Sequence, residues 1–193
     1  MAKSKAIAKT DEVEEIKPYI ISSAIIKEAL CNYGYEIKTG PGSGDKIPNR
    51  KGSAIVHDDM FTAFKGLTVH LAIIDDAFKY VQEDLQPIDF YDNHEVAGLF
   101  SITGFKVTGN DENEGFILIG EKWVKHGSIG LETPKIHKGS NYPFFEELLE
   151  AVTLCRDEVE AYMNGKAAPV AEQLALDLPS GSDENDTDFD NPM

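Results

Sequence analysis

Between residues 61 and 78 the apolar side chains Phe61, Phe64, Leu67, Leu71, Ile74 and Phe78 recur every three or four positions. That is the period of one helical face, so the pattern predicts an amphipathic α-helix here. Asp58 or Asp59 is placed to cap it, since a carboxylate there accepts from the first free backbone N–H groups and opposes the positive end of the helix dipole. A second stripe, Phe145, Leu148, Leu149, Val152, Cys155, Val159, Tyr162 and Met163, predicts a terminal helix. It starts near Pro143 with Ser140 or Asn141 as cap, has Glu146 and Glu147 at its favourable end, and stops at Asn164-Gly165.

Elsewhere the period is two. Cys31, Tyr33, Tyr35 and Ile37 alternate as in a strand, and although Ile20, Ile21, Ile25, Ile26 and Leu30 would also fit a helix, strands are expected across residues 19–37. GPGSGDKIPNRKG, residues 40–52, is expected to be a mobile loop, with a short buried strand at 53–56. Residues 82–95 read as a polar loop carrying Pro87. Three more strands are expected at 97–108, 116–125 and 129–136, the first two joined by the loop 109–115 and the last two by a turn at His126, Gly127 and Ser128.

In sequence this is three strands, a helix, two or three strands and a last helix, an α+β chain. A helix between strands three and four is the element order of an OB-fold, here extended by a strand and a helix. A five- or six-stranded sheet with its helices on one face has the same order and stands beside the barrel as the alternative. Residues 1–15 are charged and aperiodic, a flexible arm; 16–166 form the domain; 167–193 form a tail.

Composition narrows the functional classes. A chain of 193 residues, 41% hydrophobic, can bury one core, and no run is apolar enough to span a membrane or to act as a signal peptide, so a cytoplasmic location is expected. Cys31 and Cys155 are the two cysteines, without metal or disulfide spacing, and read as buried thiols. The net charge is −16, but Glu172, Asp177, Asp183, Glu184, Asp186, Asp188 and Asp190 lie in the tail. Removing these seven from the 34 acidic residues leaves 27 against 18 basic, a body near −9. Any anion-binding surface must then be a local patch.

The tail shifts to Ala, Pro, Ser, Gly, Asp and Glu, a composition that buries too little surface to offset its ordering entropy, so disorder is expected. It ends DENDTDFDNPM, in which Asp188, Phe189, Asp190, Pro192 and Met193 form an aromatic-acidic tip closing on Pro and a bulky apolar residue. This tip resembles the C-terminus of the bacterial and phage single-stranded-DNA-binding proteins. It departs from the bacterial pattern in its terminal Met and its shorter acidic run. The resemblance covers about ten residues and implies a non-catalytic protein, phage-encoded and acting in a bacterial host. Such a protein protects single-stranded DNA and recruits replication or recombination proteins through the tip. The alternative for the tail alone is a solubilising acidic end.

Binding a single strand needs cations for phosphates and flat rings for bases. Two basic segments qualify. One comprises Lys38, Lys46, Arg50 and Lys51 beside Tyr33 and Tyr35; the other comprises Lys122, Trp123, Lys125, His126, Lys135, His137 and Lys138. Trp123 shares strand parity with Ile117 and Ile119, so it is either a stacking ring or core. Enzymatic signals are weak. GPGSGDKI has Asp45 and Ile47 where a phosphate loop needs Gly and Ser or Thr; His57, Asp58, Asp59, His70 and His94 could gather round a metal, but the aspartates already serve as caps; and Asp186, Asp188 and Asp190 lack the Gly and Glu of a calcium loop. The expectation is thus a single-stranded-DNA-binding protein with no catalysis and no cofactor, with self-association left open. An acidic protein-interaction module or inhibitor that mimics nucleic acid is the second reading.

Overall fold

The computed structural model of the chain describes residues 17–80, 84–110 and 113–169. Its elements are β1 (Tyr19–Lys27), β2 (Leu30–Ile37), β3 (Lys46–Ile55), α1 (Asp58–Gly66), α2 (Thr68–Ile74), α3 (Pro87–Asp92), α4 (His94–Ala97), β4 (Phe100–Thr108), β5 (Gly115–Val124), β6 (Gly127–Glu132), β7 (Ile136–His137) and α5 (Phe145–Met163). All ladders are antiparallel, in the order β3-β2-β1-β4-β5-β6, with β7 on β5 beyond the end of β6. The fold is α+β, with helices between the third and fourth strands and a C-terminal helix, as the pattern predicted. Of the two expected forms, barrel or sheet, the sheet is formed. It is open, and among the described residues β3 and β6 each keep one unpaired edge. The arm 1–15 and the tail from 170 onward lie outside the described residues.

One face of the sheet carries the core. Phe105 meets Phe64 of α1 at 5.7 Å between ring centroids, Phe116 stacks on Phe145 of α5 at 5.9 Å, and Tyr33 meets Tyr162 edge-on at 6.1 Å. The buried stripe of α5 is Leu148, Val152, Cys155, Val159 and Tyr162. Both cysteines are free and buried, and burial pushes the Cys31 thiol up to about 12. Gly120 sits under α2, where an added Cβ would lie 2.6 Å from Leu71 Cδ2.

Several local expectations are corrected. Residues 46–52 are strand, because β3 is an edge whose missing Pro48 N–H removes no ladder bond the sheet needs. The predicted long helix breaks at Leu67 into α1 and α2, with Phe61 exposed. Its cap is His57, whose Nδ1 accepts from the Asp59 N–H at 3.2 Å, rather than Asp58 or Asp59. Residues 82–95 are not simply loop: Phe90 of α3 is fully buried, in a helix too short to show a period. Residues 97–99 belong to α4 and a turn, the β5–β6 turn is Lys125-His126, and the fourth late strand β7 was missed. The α5 N-cap is Phe144, with no side-chain cap from Ser140 or Asn141.

Beneath the helices His70 is buried with its Nδ1 2.6 Å from the Tyr142 hydroxyl. Burial pushes the imidazole down to about 4 and the phenol above its ordinary value, so the bond joins a neutral ring and a neutral hydroxyl.

Candidate nucleic-acid interface

A β-bulge in β1 builds the first part of the site. The β1–β2 register shifts between Ile21 and Ser23, which turns Tyr19 and Ile21 onto the same face as Tyr33 and Tyr35. Tyr19 then meets Tyr35 edge-on at 5.4 Å, and Tyr35 lies 6.1 Å from Tyr33. The two predicted tyrosines differ in access. Tyr33 is only 5% exposed and has no free face, whereas Tyr35 is half-buried and lines a groove with Tyr19. Arg50 stands opposite Tyr33 on the neighbouring strand, and a side-chain hydrogen bond to Tyr35 holds its guanidinium above its ordinary pKa.

The groove has a volume of about 860 Å³ and runs between the flank of α5, the ends of β1 and β2, the start of β3 and the β4–β5 loop. Lys17, Lys38, Lys46 and Arg156 line it with Glu36, Glu114, Asp157 and Glu160, four cations against four carboxylates. Each cation is paired. Lys17 reaches Asp157 at 2.5 Å and Glu160 at 3.3 Å, Lys38 reaches Glu36 at 2.6 Å, Lys46 reaches Glu36 at 3.8 Å, and Arg156 pairs with Glu114. The hydrogen bond from Lys38 lowers the Glu36 carboxyl, and the one Lys17 donates to Asp157 raises the Lys17 ammonium. Arg50 and Lys51 on β3 are exposed.

The second predicted segment is divided by β5. His137 pairs with Gly115 at one end of that strand and Ser128 with Trp123 at the other, about 26 Å apart at ~3.3 Å per residue. Lys135 donates to the Asn113 carbonyl at 2.6 Å and stands by Gly109 at the rim of the groove, with exposed Lys138 just past β7. Lys122 is held by Asp75 and lies 5.3 Å over the Phe100 ring, while Lys125 and His126 are exposed in the turn. Trp123 is 52% exposed and therefore not core.

Tyr19, Lys17 and Arg156 are groove residues that sequence reasoning missed. No spacing signals them, since the bulge and the packing of α5 bring them in. The suspected metal group does not assemble: His57 caps α1, Asp59 pairs with Lys166 at 2.7 Å, His70 faces Tyr142, and His94 is exposed on α4. Among the described residues no cluster of three His, Cys, Asp or Glu could hold a metal ion, and no helix is long and apolar enough to cross a membrane. The tip residues Asp188, Phe189, Asp190, Pro192 and Met193 lie outside the described residues. No family model, curated protein or solved structure matches the chain.

Proposed function

We propose that the chain is a non-catalytic single-stranded-DNA-binding protein whose groove between α5 and the β1–β3 ends takes the strand. The observation that supports this most is the Tyr19–Tyr35 pair beside Arg50 in a groove rimmed by lysines. Bases stack on the tyrosine rings while Arg50, Lys38, Lys46 and Lys135 meet phosphates. The existing ion pairs are no barrier. A surface pair contributes about 0–1 kcal/mol, whereas one stacked base contributes ~1–3 kcal/mol and the phosphates replace the lost carboxylates. The tail tip then recruits replication or recombination proteins in a bacterial host.

The charge balance of the groove favours a second reading, an acidic interaction module that mimics nucleic acid. Titrating labelled oligo(dT) at two salt concentrations decides between them. Binding that weakens with salt supports the first, and absence of binding at low salt removes it. Truncation after residue 169 is expected to raise affinity at low salt, because the tail carboxylates compete for the same cations.

A further inference from the structure

We infer that the free edge of β6 is a self-pairing surface, which joins two copies of this chain in an antiparallel, two-fold dimer with a continuous sheet. Trp123 turns its backbone N–H away from β6, to the Leu99 carbonyl at 2.7 Å. Its ladder partner Ser128 therefore aims its own N–H and C=O outward, and so by alternation do Gly130 and Glu132. Such a row of unpaired groups is a template for another strand, and soluble proteins guard it with Lys, Pro or a bulge. GSIGLE, the whole of β6, has none of these, and its β5–β6 register is unbroken. Exposed apolar side chains surround it, with Trp123 and Ile129 both 52% accessible and Leu99 and Val124 beside them.

The edge is also complementary to itself. Two-fold antiparallel pairing keeps the faces of both sheets aligned, so a residue meets one of the same parity. Centring the axis on Ile129 sets Ile129 against its own copy and bonds Ser128 to Gly130 of the second copy. It also brings the Lys125-His126 turn opposite Glu132 of the second copy, cation to carboxylate. Gly130 has open space where a Cβ would be, which leaves room for the Trp123 indole of the other chain to lie over it.

Sedimentation velocity and light scattering on the full-length protein, from micromolar to millimolar, test this. The expected result is a species of about twice 21.3 kDa. A concentration-dependent blue shift of Trp123, the chain's single tryptophan, should accompany it. Ile129→Lys, at an already exposed position, should return the monomer, with a melting curve that matches wild type at concentrations where wild type is itself monomeric. Because Ile129 faces its own copy in a non-bonded pair of about 4.5 Å between Cα atoms, Ile129→Cys should crosslink into a disulfide dimer on oxidation. Gly127→Cys should not. A monomer at every concentration, a dimer that Ile129→Lys leaves intact, or crosslinking through Gly127→Cys in place of Ile129→Cys overturns the inference.

Discussion

The two edges of the sheet differ in almost every respect. β3 carries Lys46, Pro48, Arg50 and Lys51, is bulged against β2, and is clamped by α5, whose Tyr162 hydroxyl donates to the Ala54 carbonyl at 2.6 Å and accepts from the Ala54 N–H at 3.2 Å. β6 carries no cation and no proline and, among the described residues, is held by its ladder to β5 and by the Glu132–Lys106 ion pair to β4. A charged, proline-bearing edge resists another strand while offering its side chains to a polyanion. A bare edge does the opposite. Under the proposed readings, one sheet assigns nucleic acid and protein to its opposite sides by the residues placed on two strands.

The same substitution at the two edges should break this comparison most visibly. A Cβ at Gly52 collides with the Tyr162 hydroxyl and the Cys31 carbonyl oxygen, whereas one at Gly130 meets nothing. Gly52→Val is expected to cost about 3 kcal/mol in chemical denaturation, and Gly130→Val to stay within about 0.5 kcal/mol. Equal costs would show that α5 does not clamp β3.

Acid acts on the helical layer that both edges share. His70 has a folded pKa pushed down to about 4 from 6.5, so the unfolded chain takes up its proton first as pH falls. The stabilisation by neutral His70 is complete above pH 6.5 and is lost progressively as pH falls to about 4, ~3 kcal/mol at most. Thermal melts of wild type and His70→Asn across this window check it. The variant should show a shallower slope.

Smaller effects sharpen the contrast. Tyr162→Phe should cost about 1–2 kcal/mol by leaving the Ala54 backbone groups unbonded, read by hydrogen exchange of β3 amides with those of β6 unchanged. For oligo(dT) at low salt, Arg50→Ala with Lys51→Ala should weaken binding about tenfold and flatten the salt slope. Lys122→Ala with Lys125→Ala should weaken it about twofold, because those cations sit at the far end of β5. Trp123→Ala should change stability least, by under about 0.5 kcal/mol.

The parts legible in the sequence are those governed by period. The alternation from Cys31 to Ile37 gave β2, and the stripe from Phe145 to Met163 gave α5 together with its end at Asn164 and Gly165. What escaped depends on neighbours. Pro48 and Gly52 argue for loop in isolation, yet an edge strand accommodates both. Tyr19 joins Tyr35 only through a one-residue bulge, and without it Ile20 and Ser22 would face the helices in its place. Trp123 shares its parity with Ile117 and Ile119, on the face of β5 opposite the one that Phe116, Leu118 and Gly120 turn to the helices, and its ring is open. The dense basic segment around it was dense along the chain but not in space.

The bond from the Ala168 N–H to the Ile55 carbonyl, 2.9 Å long, holds the segment after α5 against the end of β3. Everything after it starts from the end of the strand that carries Arg50 and Lys51. A group joined by a short tether acts at about millimolar effective concentration, however dilute the protein. Under the proposed function, the seven acidic residues that follow act as a local, stoichiometric counter-ion supply for these cations, independent of how many molecules share the solution. A free ligand competes with it by mass action, and salt weakens both sides of the contest together.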